Sequence, residues 1–482
     1  RTRRGLGLRG LGLGLGLGLG KAGARPYEGL QVHTADPPPA DVPLGRIAFG
    51  SCNHQDLEQD LWPGVAASKP DLWLWLGDNI YGDEVTVSTE YPFAAHTHRF
   101  PDGIAADYAM QAKIEAYADF VGKVPVLATW DDHDFGQNDG DRTFSWRAES
   151  QELFLDFFNV AASDERRTRG GVYVARDYGP QGRRVRVVLL DNRYHKDPWS
   201  ARPDGDMLGE EQWAWLEQQL AAPAVDVQLY LVGAGLQMLP DDRAIGETWG
   251  RFPRARARLM DLVSRAAAPA VLLSGDVHYS EITDVRCRAN STGGVKDIAE
   301  VTASGMTHSW GEPKGFMGHN VFNKLGDVGA AISYFVNDIL NPRGFELTQR
   351  VLGCAYRRDN LEDYTAERGF GVVDIEWGEA GTPPRVTTKI VGKDGATLLE
   401  RDLSYSNAAT EGSSAGSDSF DCGPLHEVSD LQRVLQKVVA IGIILLVFGS
   451  MLHVLLFVLT LPWTLLRLWT RRKITPKEKK QQ

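Results

Sequence analysis

β-rich apolar runs recur along the chain at residues 46–49, 72–76, 124–129, 185–190, 227–232 and 271–273. Runs of this length, interrupted only by Arg186 and Gln228 after an opening Arg46, suit strands covered on both faces. Between several of them, residues 105–121, 145–159, 210–220 and 254–267 place apolar side chains three and four apart, the spacing of helices that bury one face. Later segments at 298–303, 370–377 and 386–391 predict antiparallel strands, the last meeting the turn signal Gly392-Lys393-Asp394-Gly395. The pattern predicts an α/β architecture: two stacked mixed sheets with helices outside them.

A different pattern occupies the two ends. Residues 1–20 alternate Leu and Gly behind Arg1 and Arg3-Arg4, a low-complexity run that suits neither helix nor strand because Gly weakens both. It is compatible with a weak signal-peptide core or with a truncated start. Residues 1–40 are therefore expected to be a leader without packed structure, and 41–404 one large catalytic domain. A Ser/Gly-rich linker covers 405–430, and residues 438–461 are apolar on every face with His453 as the one ionisable member. At about 1.5 Å per residue this stretch crosses the roughly 30 Å hydrocarbon core as a transmembrane helix. Trp463 and Trp469 stand at interfacial depth, and Arg471-Arg472-Lys473, Lys477, Lys479 and Lys480 make 467–482 a basic tail. The positive-inside rule puts that tail in the cytoplasm and the large domain in a lumen or outside the cell. Charges after the span disfavour a lipid-anchor signal. Lys479-Lys480-Gln481-Gln482 also resembles a dilysine endoplasmic-reticulum retrieval signal, although the lysines are equally explained as topology determinants.

Composition sharpens this picture modestly. The 482 residues carry a formal charge of −11, and no basic field surrounds the globular part, so nucleic acid is not an expected partner. Cys52, Cys287, Cys354 and Cys422 are too few and scattered for a disulfide scaffold. In an extracytoplasmic domain a Cys287–Cys354 bridge is permissible, and the sequon Asn290-Ser291-Thr292 gains meaning in the same compartment.

The chemistry is concentrated where the strands end. Four polar clusters follow apolar runs: Gly50 to His54, Gly77 to Asp83, Trp130 to Asp134 and Ser274 to His278. In open α/β sheets ligands bind beyond the carboxyl ends of strands, where such loops converge. Asp78, directly after a buried strand, is either a turn or cap residue or a cation ligand, because a carboxylate resists desolvation unless paired. Asp131-Asp132-His133-Asp134 packs three acids and an imidazole into one turn, with Asn138 and Asp139 close behind, and clustered acids repel unless cations neutralise them. Asp276 and His278, separated by one residue, point to one side of an extended loop. Cys52 is a small buried residue or a thiolate selecting a softer metal, and Tyr81 is a packing aromatic or a phenolate ligand. Thiolate, phenolate and carboxylates together suit ferric iron.

These residues resemble the PhoD-like phosphatases, the alkaline phosphatase D family within the metallophosphoesterases. The resemblance spans roughly 46–405 and rests on FGSCN at 49–53, LGDNIYGD at 76–83, TWDDHDFGQND at 129–139, LLDNRYH at 189–195, GEEQWAWL at 209–216 and LSGDVHYSEI at 273–282. It implies a four-layer α/β/β/α sandwich of metallophosphoesterase type. It also implies a site for Fe3+ and Ca2+ or another divalent metal, with Cys52, Asp78 and Tyr81 on iron, Asp78 bridging, and Asp131, Asn138, Asp276 and His278 completing the metal set. Asp132, His133 and His278 are the implied catalytic residues, and Arg193 is a candidate for facing phosphate. Gly82-Asp83 stand where some members carry a basic residue, which leaves substrate choice open. The implied reaction is hydrolysis of a phosphate monoester or diester by a membrane-anchored enzyme. Rival readings are a binding protein that lost turnover on the same fold, or a metallohydrolase of another ester.

Overall fold

The computed structural model describes residues 30–83, 102–223, 225–240, 246–311, 363–403 and 419–423, with isolated positions between 431 and 442. One mixed sheet contains β1 (Arg46–Gly50), β2 (Leu72–Leu76), β3 (Val126–Thr129), β11 (Gly369–Glu376), β12 (Arg385–Gly392) and β13 (Thr397–Leu403), in the order β13-β12-β11-β1-β2-β3. The second contains β4 (Val174–Tyr178), β5 (Val185–Leu189), β6 (Leu229–Gly233), β7 (Ala270–Ser274), β8 (Ser280–Ala289), β9 (Val295–Ala303) and β10 (Tyr364–Thr365), in the order β10-β8-β9-β7-β6-β5-β4. A short β14 (Phe420–Asp421) adds to β8.

The alternation of side chains explains why both faces of these strands are apolar. In β2, Leu72, Leu74 and Leu76 enter the core between the sheets, where they join Val187, Leu189, Leu231, Val271 and Leu273 of the opposite sheet. Trp73 and Trp75 point the other way. They pack beneath α1 (Trp62–Ala67), α2 (Asp102–Gln111), α3 (Glu115–Val121), α4 (Asp132–Phe135) and α5 (Arg147–Phe157), where Trp62 lies 5.3 Å and 5.5 Å from their ring centroids. On the far face of the second sheet, Tyr230, Val232 and Leu272 pack with α6 (Gly209–Leu220) and α7 (Pro253–Arg265). The expected mixed sheets and outer helices are present.

Some local expectations change. The single helix expected over 105–121 is two, α2 and α3, because the buried Gln111 amide is held by Asn53 and Gln59 and the chain turns there. β8 escaped the apolar-run reading because Glu281 and Thr283 are polar yet fully enclosed. Gln237 donates to the Glu281 carboxylate at 2.6 Å, which offsets its desolvation. Cys287 bonds to Cys422 rather than to Cys354, which lies outside the described residues. Within the stretch expected to be linker, β14 brings Cys422 alongside β8. The apolar run at 438–461 lies outside the described residues apart from Val438 and Gly442. Among the described residues no helix is long and apolar enough to cross a membrane.

What positions the site is strand direction. β1, β2 and β3 are mutually parallel, and so are β5, β6, β7 and β9. Their C-terminal loops form the hydrogen-bonded, closely packed polar region described below.

Two variants test this packing by chemical denaturation. Leu74→Ala, which empties part of the core between the sheets, is expected to lower stability by about 3 kcal/mol. Cys422→Ser, which opens a crosslink spanning 135 residues, should lower it by about 2–4 kcal/mol. An unchanged midpoint for Cys422→Ser would mean that the bridge does not form.

Candidate metal centre

Seven non-glycine residues among those described adopt positive φ, and five are Cys52, Asp78, Asp139, Asp276 and His278. Such a backbone is costly for a side-chain-bearing residue and survives only where surrounding contacts impose it. Here the strand-end turns are bent so that each side chain faces the same polar region. Close packing maintains the bend: a Cβ on Gly77 (φ 89°) or Gly235 would strike Asp131, and one on Gly275 would strike Ser51.

The loops are then tied to one another. Asn53 N–H donates to the Asp78 carbonyl at 2.8 Å. The Asp134 carboxylate accepts from Asn79 N–H at 2.8 Å and Asp131 N–H at 2.6 Å, so this acid serves as a structural clamp. Asn192 bridges further, its amide donating to Asp131 Oδ1 at 2.9 Å and its carbonyl accepting from Gly235 N–H at 3.0 Å.

Inside this frame the donor groups form linked sets, each within 4.8 Å: Cys52, Asp78 and His278; Asp78, Asp132 and His133; Asp131, Asp132 and Asp276; and Asp132, Asp139 and Glu247. Cys52 Sγ lies 3.4 Å from Asp78 Oδ2 and 3.0 Å from Ser304 Oγ. The Tyr81 hydroxyl lies 3.0 Å from His278 Nε2, and its ring stacks on His54 at 4.9 Å and His133 at 4.0 Å. Of the metal residues expected from sequence, Cys52, Asp78, Asp131, Asp276 and His278 fall directly into these sets, and Tyr81 adjoins them through His278. Asn138 occupies the half-buried turn beside Asp139, whose carboxylate joins Asp132 and Glu247. Asp132, expected as a catalytic group, belongs to three of the four sets.

The electrostatics explain why these groups belong together. Burial raises Asp78 and Asp276 well above the ordinary carboxylate range, and repulsion from neighbouring anions raises them further. Burial likewise pushes the Cys52 thiol up to about 12 and lifts the Tyr81 phenol. Burial alone would lower His133, but Asp83, 2.6 Å from its Nδ1, and Asp132 hold it up at about 10. Burial lowers His278 to about 4, with His133 adding to the effect, and drives His308 well below its usual value.

Arg193 departs from expectation. Its guanidinium is fully enclosed, bonded to Asp131 Oδ1 at 2.5 Å and to Glu247 Oε2 at 2.6 Å, so it holds the acids in place and has no open face for phosphate. Lys196, also fully buried, lies 3.6 Å from Glu247 and over the Trp199 ring at 4.0 Å. These cations offset part of the negative charge, yet Asp131 Oδ2 remains buried with no hydrogen-bond partner. An orphaned carboxylate oxygen beside Asp132 and Asp276 fits a bound cation, and the mixed sulfur, phenol, imidazole and carboxylate donors fit a transition metal beside a harder ion.

Sequence reasoning passed over Glu247, Ser304 and His308, and it gave His54 no role beyond its place in the first polar cluster. Glu247 stands alone in a turn and carries no pattern. His308 and Ser304 had a usable signal, because Ser304 to Trp310 is a fifth polar cluster after an apolar strand end.

A PhoD-like phosphatase family model matches residues 47–324, more than half of the chain. The class defined by these findings is that of hydrolases acting on phosphate esters. This chain belongs to the PhoD-like phosphatase family. Among solved structures, one described as "Structure of PhoD" is similar at 16% identity and TM-score 0.49, over 78% of this chain and 74% of that one. No curated protein matches.

Arg193→Leu is expected to lower stability by about 3–5 kcal/mol by stranding Asp131 and Glu247. Arg193→Lys should recover little, because one ammonium cannot replace the fork. If Arg193 instead served substrate, the leucine variant would keep its unfolding midpoint and show mainly a raised KM.

Proposed function

We propose that this chain is a metal-dependent phosphomonoesterase or phosphodiesterase anchored to a membrane, on a four-layer α/β/β/α sandwich of metallophosphoesterase type. The observation carrying the reading is the convergence of Cys52, Asp78, Tyr81, Asp131, Asp132, Asp276 and His278 from separate strand ends of both sheets around the orphaned Asp131 oxygen. Family membership supplies the phosphate ester.

Cys52, Asp78, Tyr81 and His278 would hold ferric iron. Asp131, Asp132, Asn138 and Asp276 would hold calcium or another divalent ion beside it, with Asp78 shared. Such cations, when bound, bind phosphoryl oxygens and acidify water. The protein's own part is positional. Arg193 and Asn192 fix Asp131, and Asp134 fixes Asn79 and the start of the Asp131 turn. His133, oriented by Asp83 and stacked on Tyr81, would carry a proton at Nε2 for the leaving oxygen, and Asp83 would stabilise the imidazolium until transfer.

Two observations support anchoring and a secretory placement. The Cys287–Cys422 bridge suits an oxidising compartment. Leu431, Val434 and Leu435, with Val438 at the start of the apolar run, are helical and expose apolar side chains at helix-face spacing. The catalytic domain then lies in a lumen or outside the cell and the basic tail in the cytoplasm.

The test uses the full chain from a secretory host, its iron and calcium measured by elemental analysis and its turnover by monoester and diester chromogens. Bound iron with a visible charge-transfer band and hydrolysis of at least one chromogen are expected. A colourless, metal-free protein that stays inactive after iron and calcium are supplied sinks the reading. Asp78→Asn should remove metal and cost more than the roughly 10–100-fold typical of a residue that only orients a ligand. Tyr81→Phe should shift or abolish the visible band, and an unchanged spectrum would remove Tyr81 from the iron site.

A further inference from the structure

One Asn-X-Ser/Thr triplet occurs in the 482 residues, Asn290-Ser291-Thr292. A single triplet arises readily by chance, so its placement decides its meaning. It occupies the turn joining β8 to β9, directly after Ala289, and all three residues are exposed. Gly293 follows with φ 69° and open space where a Cβ would stand, and the exposure of residues 290–293 puts the turn at the surface of the domain.

Two further features of the same hairpin bear on modification. Cys287, three residues before Asn290, forms the bridge to Cys422, a bond that belongs to an oxidising compartment. The Asn290 amide donates to Ser419 Oγ at 2.8 Å, and its backbone N–H donates to the Ser419 carbonyl at 2.9 Å. Ser419 lies 129 residues downstream and Cys422 lies 135 residues from Cys287, so Asn290 lacks its two bonds to Ser419 while those residues are still to be made.

We propose that Asn290 is an N-glycosylation site. The inference rests on the secretory placement proposed above. The donor is a lipid-linked pyrophosphoryl oligosaccharide. Asn290 Nδ2 forms a bond to the anomeric carbon, the bond from that carbon to the pyrophosphate oxygen breaks, the lipid pyrophosphate leaves and one amide proton is lost, with no change of oxidation state. The modified amide keeps one N–H, enough to retain the hydrogen bond to Ser419 after the chain closes. The hydroxyl of Thr292 completes the acceptor triplet.

The site is also compatible with catalysis. β8 begins at Ser280, two residues after His278, and its 10 residues carry the chain to Ala289. At roughly 3.3 Å per residue the tip stands about 30 Å from the metal centre, beyond reach of a loss by direct occlusion.

The experiment is the full chain produced in a eukaryotic secretory host, treated with peptide-N-glycosidase and mapped by mass spectrometry under non-reducing conditions. A mobility shift and conversion of Asn290 to Asp are expected. Asn290→Gln and Thr292→Val should abolish the shift, Thr292→Ser should retain it, and Asn290→Gln should keep phosphatase turnover within about twofold of the parent. A chain with Cys287 bonded to Cys422 and Asn290 unmodified overturns the assignment. Reduced cysteines with Asn290 unmodified overturn the placement and the assignment together. Glycosylated chain without turnover leaves the assignment standing and counts against the enzymatic reading alone.

Discussion

Carboxylates gathered away from water must be neutralised, and this molecule is organised around that requirement. Asp78, Asp131, Asp132, Asp134 and Glu247 are all buried within one region, where repulsion is poorly screened. Different partners meet the demand. Asp134 is spent on backbone and amide N–H groups, and Glu247 and one oxygen of Asp131 are spent on Arg193. What is left, the second oxygen of Asp131 with Asp78, Asp132 and Asp276 around it, is the unspent negative charge that a cation would complete. The internal cations therefore delimit the candidate site by subtraction: Arg193 holds Asp131 and Glu247, Lys196 lies beside Glu247, and Asp131 Oδ2 is left over.

The fold serves this requirement through strand direction. Both sheets contribute parallel strands, and a parallel strand delivers its C-terminal turn to the same edge as its neighbours. The turns must then reverse sharply, which is why Cys52, Asp78, Asp276 and His278 carry positive φ where glycine would be easier. Glycine sits beside them at Gly77 and Gly275, where any Cβ would collide. The donor residue accepts the backbone strain and its neighbour provides the clearance.

Much of this was legible in the sequence for a physical reason. A strand buried on both faces must be apolar throughout, so the polar residue that ends it is conspicuous, as Asp78 is after Leu72 to Leu76. The same logic failed where polar residues are buried but paired inside the fold. β8 was passed over because Glu281 and Thr283 disguise an enclosed strand, and Glu247 was passed over because its importance comes from Arg193, 54 positions earlier in the chain (247 minus 193). Arg193 itself was misjudged: an Asn-Arg pair after a strand gives no sign of whether the guanidinium faces a ligand or an acid. The Cys287 partner was equally hidden, since it depends on β14, inside a stretch expected to be linker, pairing with β8.

β8 connects the chemistry to the chain's last described strand. Its first residue follows the loop of Asp276 and His278, and its last residues pair with β14 and carry the Cys287–Cys422 bridge. Its ten residues place the β8–β9 turn about 30 Å from the loop of Asp276 and His278. Two residues of β14 make a short pairing, and the covalent link from Cys422 to the buried Cys287 reinforces it. The site's geometry is set at the other end, by hydrogen bonds of 2.5–2.9 Å among Asp131, Asp134, Asn192 and Arg193.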